Sequence, residues 1–471
     1  MAFCFYENNF FNLFFGGIMK QSGDKKTLTV GQKLGYGAGD FAFNLAYQTT
    51  ALYLLIFFTD TFLINAAAAG TIMLVSKLWD AVSDPMMGYI TDRTKSRWGS
   101  KRPYLLFAAV PLGLAVAALF YGPDIESHTL RVVYALVVFV FFCTIITINN
   151  VPYSALTANL TRDTDERSVL TGYRMSFAIF GALIAAGATL PLVGVFGGGD
   201  KLVGYRMTGI LYGALVALVI LITFASVRER REISANEHVT IKESLKVIWS
   251  NKPMIILFFG TSINLTAVLI TAAVVNYFFK YNLNNEDLIP VAFLCLFVTA
   301  ILFMPLAVHL TKKIGKKLTY NLGMLSFACV LVLLFFFGEI NVYLTLFLFF
   351  LGAFGMSTNW LCPWAMVPDT VEYSEWKEGV RREGVIYGAF FFGQKYPAAL
   401  AMFISGIVLD FVGYIPNIEQ TPQSLMGIRV LLTLIPAALL VIGSIFISRF
   451  PINADIHKEM IRDIEARADK S

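Results

Sequence analysis

Apolar residues fill the chain in long runs broken by short polar stretches, from residue 34 to residue 449. A helix rises about 1.5 Å per residue, so roughly 20 apolar residues cross the hydrocarbon of a bilayer, about 30 Å thick. Runs at 34–59, 66–91, 103–122, 131–156, 170–196, 208–228, 253–280, 288–311, 318–338, 341–367, 385–412 and 424–449 are long enough, which predicts twelve membrane-spanning helices. The expected layout is an N-terminal segment (1–33), a six-helix bundle (34–228), a central loop (229–252), a second six-helix bundle (253–449) and a tail (450–471). The fold class is an all-α membrane protein made of two pseudo-symmetric bundles.

The composition supports this, because 57% hydrophobic and 15% charged residues leave more apolar surface than a soluble core can bury. The net charge of +5 is small and sits in short loops, with no basic stripe for nucleic acid. Its distribution is topological. Arg93, Lys95, Arg97, Lys101 and Arg102 follow the second span, Arg228 to Lys252 carry the central loop, and Lys312, Lys313, Lys316 and Lys317 follow the eighth. Loops 60–65 and 339–340 have no such cluster. The positive-inside rule then puts both termini and the central loop in the cytoplasm, as in a multi-pass protein of the cell (inner) membrane. Residues 1–18 lack Lys and Arg, hence the positive start of a cleavable signal. They are either an untranslated stretch ahead of a start at Met19 or a tail on the membrane surface. The five cysteines are scattered without metal-ligand spacing, and no nucleotide-binding loop or nucleophile elbow occurs. That argues against an enzyme and against a cofactor, and leaves an ion gradient, or no energy source at all, to drive any movement of solute.

Ionisable groups inside a span cost about 2.5 to 3.5 kcal/mol each, so each calls for a partner, a cavity or a function. Lys77, Asp80 and Asp84 share one face of the second span. Pro85 withholds the hydrogen bond that the Ala81 carbonyl would accept, and Pro152 does the same for Ile148 beside Thr147, Asn149 and Asn150. Oxygen donors gathered this way suit a hard monovalent cation, Na⁺ or Li⁺, whereas H⁺ would need only one carboxylate of raised pKa. The plainer alternative is that Asp80 and Asp84 merely pair with Lys77 and a second basic group.

Lys395 falls about ten residues into its span, roughly 15 Å deep, and its expected partners are Asp80 and Asp84 across the bundle interface. In the first span Asp40 reads as an inner gate, a sugar ligand or an ion-pair partner for Arg174, while Asn44, Tyr47 and Gln48 offer groups for sugar hydroxyls. Trp360 is either a platform for a sugar's apolar face or packing. Asp92 beside Arg93 reads as structural, and Asp369, Glu372 and Arg381, in the stretch after the tenth span, as an inner-gate cluster.

The segments KLGYGAGDFAFN, FFTD, KLWDAVSDPMMGYITDRTKSRWGSKRP, NNVPYSAL, VPDTVEYSEWKEGVRREG and GYIPNIEQTPQSLMG together resemble the glycoside-pentoside-hexuronide:cation symporters. These are the melibiose permease group of the major facilitator superfamily, and the resemblance runs from about Lys33 to Phe450. It implies a monomeric sugar or glycoside symporter working by alternating access. It implies cation ligands at Asp80, Asp84 and Thr147, with Ser83 where melibiose permease has an asparagine. It also implies sugar contacts from Arg174 and Trp360, and a lysine linked to both the cation and the sugar sites at Lys395. Asn44 and Asn150 stand where that permease has aspartates, which points away from melibiose. Rival readings are a lysolipid carrier of the same fold and a transporter-like sensor.

Overall fold

The computed structural model describes residues 28–161, 164–229, 249–379 and 383–468, and every regular element among them is helical. The first bundle holds α1 (Val30–Ile56), α2 (Ala66–Arg93), α3 (Arg102–Leu119), α4 (His128–Leu160), α5 (Thr164–Gly197) and α6 (Lys201–Ser226). The second holds α7 (Lys252–Tyr277), α8 (Ile289–Ile314), α9 (Lys316–Phe337), α10 (Val342–Glu378), α11 (Glu383–Phe411) and a broken α12 (Pro422–Leu432 and Leu434–Ser448). A short α13 (Ala454–Ala468) follows. Most of the central loop, and the outer parts of both tails, lie outside the described residues.

Polar caps fix where the helices begin. Thr29 and Gln32 cap α1 reciprocally, Asn65 accepts from the Ala68 amide at 3.0 Å, and Asn341 accepts from the Tyr343 amide at 2.8 Å. Among the described residues, eleven helices are long and apolar enough to cross a membrane. α2 has ample length at 28 residues but is left out by its composition, because Lys77, Asp80 and Asp84 interrupt its apolar run. Large apolar side chains such as Phe107, Leu114 and Phe336 face outward, where a bilayer is their natural solvent.

Two boundaries differ from the expected ones in ways that matter. α10 continues to Glu378, so Asp369 and Glu372 stand on its last turns and not in a following stretch. α1 and α7 both end in π-helical turns, Phe57–Thr61 and Phe278–Asn282, each followed by a residue of positive φ, Leu63 (56°) and Asn284 (51°). The two halves therefore repeat each other at the level of a single turn.

The bundles form a wedge. At the end away from the termini, α2 and α11 approach so closely that a Cβ on Gly406 would lie 2.4 Å from the Ala66 carbonyl, and one on Gly70 3.0 Å from that of Met402. At the termini end of the same helices, a Cβ on Gly88 or Gly388 would meet no atom within 4 Å. Asn276 donates to the Leu52 carbonyl at 2.5 Å and Lys201 pairs with Glu286 at 2.6 Å, again at the far end. Among the described residues the two bundles are thus joined at the far side, and α2 and α11 are splayed toward the termini.

Candidate functional site

At mid-height α2 and α4 bring their oxygen donors together. The Thr147 hydroxyl lies 2.9 Å from Asp80 Oδ1 and 3.0 Å from Asp84 Oδ1, and having one proton it serves one carboxylate at a time. Ser83 Oγ lies 3.3 Å from Thr147 Oγ1 and donates to the Asp80 carbonyl at 3.1 Å. The four residues expected at the cation site are therefore one connected cluster.

Two ammonium groups balance the two carboxylates. Lys77 Nζ lies 3.7 Å from Asp80 Oδ2 and 4.7 Å from the centre of the Tyr47 ring. Lys395 reaches across from α11, touching Asp84 directly and standing 3.8 Å from Asp80 Oδ2. Its side chain is 34% exposed, that of Asp84 22% and that of Asp80 7%, so wetting increases from the first bundle toward the lysine. Both the ion-pair alternative for Lys77 and the cross-bundle partnership of Lys395 are present.

Arg174 and Asp40 form a second, separate cluster inside the first bundle. The guanidinium clamps the carboxylate at 2.5 and 3.3 Å, and its third nitrogen donates to Thr157 Oγ1 at 3.1 Å. Tyr153 adds a 2.7 Å bond to Asp40, and the Arg174 plane lies 4.9 Å from the Tyr153 ring centre. Of the readings open for Asp40, the structure supplies the ion pair. Asn44, one turn further, donates its amide to the Asp40 carbonyl at 2.9 Å, which leaves its oxygen for other partners. Asn150 is half-buried on the same stretch of α4 as Thr147. Trp360 stacks on Phe297 with ring centres 5.8 Å apart, so packing accounts for one of its faces.

At the termini end Asp369 takes both its oxygens to Lys316, at 2.7 and 2.9 Å, and Glu372 bonds His457 of α13 at 2.7 Å. Asp369, Glu372 and His457 together have the composition of a metal site. Lys316 already occupies the buried carboxylate, so the cluster is an ion-pair network. Arg93 stacks 3.5 Å above the Tyr89 ring. The side chain of Asp92 and all of Arg381 lie outside the described residues.

Two acids escaped sequence reasoning. Glu229 accepts from the Ser100, Lys101 and Arg102 amides at 2.9, 2.7 and 2.8 Å, capping α3 and pinning the basic loop that precedes it. Gly99 sits against that carboxylate with φ 105°, a conformation closed to other residues. Asp60 ties the far ends of the two bundles together. Its carboxylate accepts from Thr59 at 2.7 Å and Tyr281 at 2.5 Å, and is also touched by Lys280 and Tyr414. The signal for Asp60 was visible, an acid after an aromatic run with a lysine and tyrosine in the matching run FFKYN.

Comparison with known proteins agrees with this fold. A family model described as MFS/sugar transport protein matches residues 35–454. The chain is 36% identical to "Uncharacterized symporter YnaJ" of Bacillus subtilis (strain 168), covering 94% of this chain and 96% of that one. It is 33% identical to "Putative sulfoquinovose importer" of Escherichia coli (strain K12), covering 94% and 95%. Among solved structures, a D-xylose-proton symporter superposes with a TM-score of 0.65 at 16% identity, covering 90% of this chain and 98% of that one, a likeness of fold.

Proposed function

The chain belongs to the sugar/cation symporter family of the major facilitator fold, the glycoside-pentoside-hexuronide group, and on that premise we propose that it carries a sugar or glycoside with Na⁺ or H⁺ across the cytoplasmic membrane. It is a multi-pass transporter and no enzyme. Loop charge supports cytoplasmic termini, which makes the splayed side of the wedge the cytoplasmic side.

The observation that carries the reading is Lys395 on Asp84. An ammonium from the second bundle sits on carboxylates that, with Thr147 and Ser83, offer the oxygen set a small cation needs. A cation entering this set competes with Lys395 for the same charge. Lys77 and Lys395 already balance Asp80 and Asp84, so cation binding releases Lys395 and with it one tie between the bundles. In this way ion occupancy biases which side of the wedge is open. The released ammonium, Asn44, Asn150 and Trp360 are the groups proposed to meet the sugar.

Uptake into proteoliposomes over a panel of glycosides, pentosides and hexuronides, with Na⁺, Li⁺ and H⁺ gradients imposed one at a time, tests this directly. One cargo should accumulate with one ion gradient and fail to do so in the Asp80→Asn, Asp84→Asn double variant. Equal accumulation by the double variant would end the symport reading.

A further inference from the structure

The far-side junction is built around one carboxylate. Asp60 is 7% exposed and stands in the π-helical turn that ends α1. Thr59 is its only carboxylate donor from its own bundle among the described residues. Lys280 and Tyr281 come from the matching π-helical turn after α7, and Tyr414 from the loop before α12. Asn417, in the same loop, donates to the Asp60 carbonyl at 2.5 Å and accepts from Lys280 at 2.8 Å. Thr59 itself meets Tyr277 at 2.9 Å. Two segments of the second bundle, the end of α7 with its π-helical turn and the loop before α12, thus converge on one turn of the first.

Such a cluster differs in kind from the Lys201–Glu286 pair on the same face. The latter is 50% and 35% exposed and has water as a ready substitute. Asp60 has none. Separating it from Lys280, Tyr281 and Tyr414 leaves a buried charge uncompensated until water enters. In a two-bundle transporter the far side must separate once in every cycle, and this junction is what must part. It lies beyond the mid-height cluster and touches none of the proposed cargo groups.

We propose that Asp60 is the positioning residue that sets the balance between the far-side-closed and far-side-open forms. Lys280, Tyr281, Tyr414 and Asn417 are its partners in the closed form. The two π-helical turns present Asp60, Lys280 and Tyr281 to one another, so this part of the latch is a product of the repeat between the halves.

Hydrogen exchange read by mass spectrometry on the full chain in lipid nanodiscs tests this without any cargo. In Asp60→Asn, amides in the far-side ends of α1, α7 and α11 should exchange about tenfold faster, the scale expected when hydrogen bonds to a buried charge are lost. Amides at the termini ends of α2, α5 and α11 should become slower, because opening one side closes the other. Lys201→Met, on the same face, should change neither. Tyr414→Phe removes a single hydroxyl and keeps the ring, so it should shift both sets in the same directions, by less. An unchanged profile in Asp60→Asn would overturn the proposal. So would faster exchange at both ends with a lowered melting temperature, since that is plain destabilisation. Should Asp60→Asn fail to fold, the sign of the Tyr414→Phe shift at the termini ends decides between the two.

Discussion

Lys395 and Asp84 belong to different bundles, and the ammonium of the one rests on the carboxylate of the other at the centre of the wedge. Removing the lysine leaves the acidic cluster with Lys77 alone. Lys395→Met should therefore bind the coupling cation more tightly, by about tenfold given the energies of hydrogen bonds to charged groups, while losing gradient-driven accumulation. Cation titration by calorimetry and uptake in proteoliposomes measure the two effects separately.

Arg174 and Asp40 should behave as a unit. Arg174→Lys keeps the charge but loses the fork that holds Asp40 and Thr157 together, so transport should fall at least tenfold despite the conserved charge. Asp40→Asn should do similar harm, and the double variant should be no worse than the poorer single one. Additive losses in uptake rate would mean the two act independently.

Close approach of α2 to α11 depends on Gly406. A methyl there would meet the Ala66 carbonyl, a backbone atom with no rotamer to change. Gly406→Ala should slow uptake by roughly tenfold, as overpacking costs of 1–3 kcal/mol suggest. Gly388→Ala, on the open end of the same helix, should leave the far-side packing intact, and hydrogen exchange along α11 would tell the two apart.

Glu229 holds three amides at the start of α3. Glu229→Ala should destabilise by about 1–2 kcal/mol, the range for losing a charged helix cap, and free the basic loop before it. Thermal unfolding, together with proteolysis between Lys95 and Lys101, reads both consequences.

Burial, and then the charge of Asp60, push the Tyr414 hydroxyl above its ordinary pKa of 10.0, so the folded protein keeps a proton there that the unfolded chain gives up. The stabilisation is complete below pH 10.0 and is lost as pH rises beyond it. The melting temperature should accordingly fall more steeply in that alkaline range for the parent than for Tyr414→Phe.

Much of this was legible in the sequence, because a bilayer makes helices announce themselves and makes every interior charge an exception. Asp80, Asp84 and Thr147 could be placed together because helical spacing and two prolines fix their faces. Lys395 could be matched to them because its depth left few partners. Partnerships between separated segments were harder. Nothing local says that Glu229 folds back onto residues 100–102, or that Asp60 meets a loop beyond residue 411. The end of α10 was misjudged for a related reason: Asp369 and Glu372 are polar enough to read as loop, yet Lys316 and His457 make them tenable on a helix.

The falling exposure from Lys395 through Asp84 to Asp80 makes the two aspartates unequal in time as well as in place. On the proposed cation site, an ion leaving toward the splayed side would give up Asp80 first and Asp84 last, and one arriving from there would meet them in the reverse order. Asp84 would then govern how fast the site exchanges and Asp80 how firmly it holds. Kinetic traces of the two single variants would separate dwell from entry within one pocket.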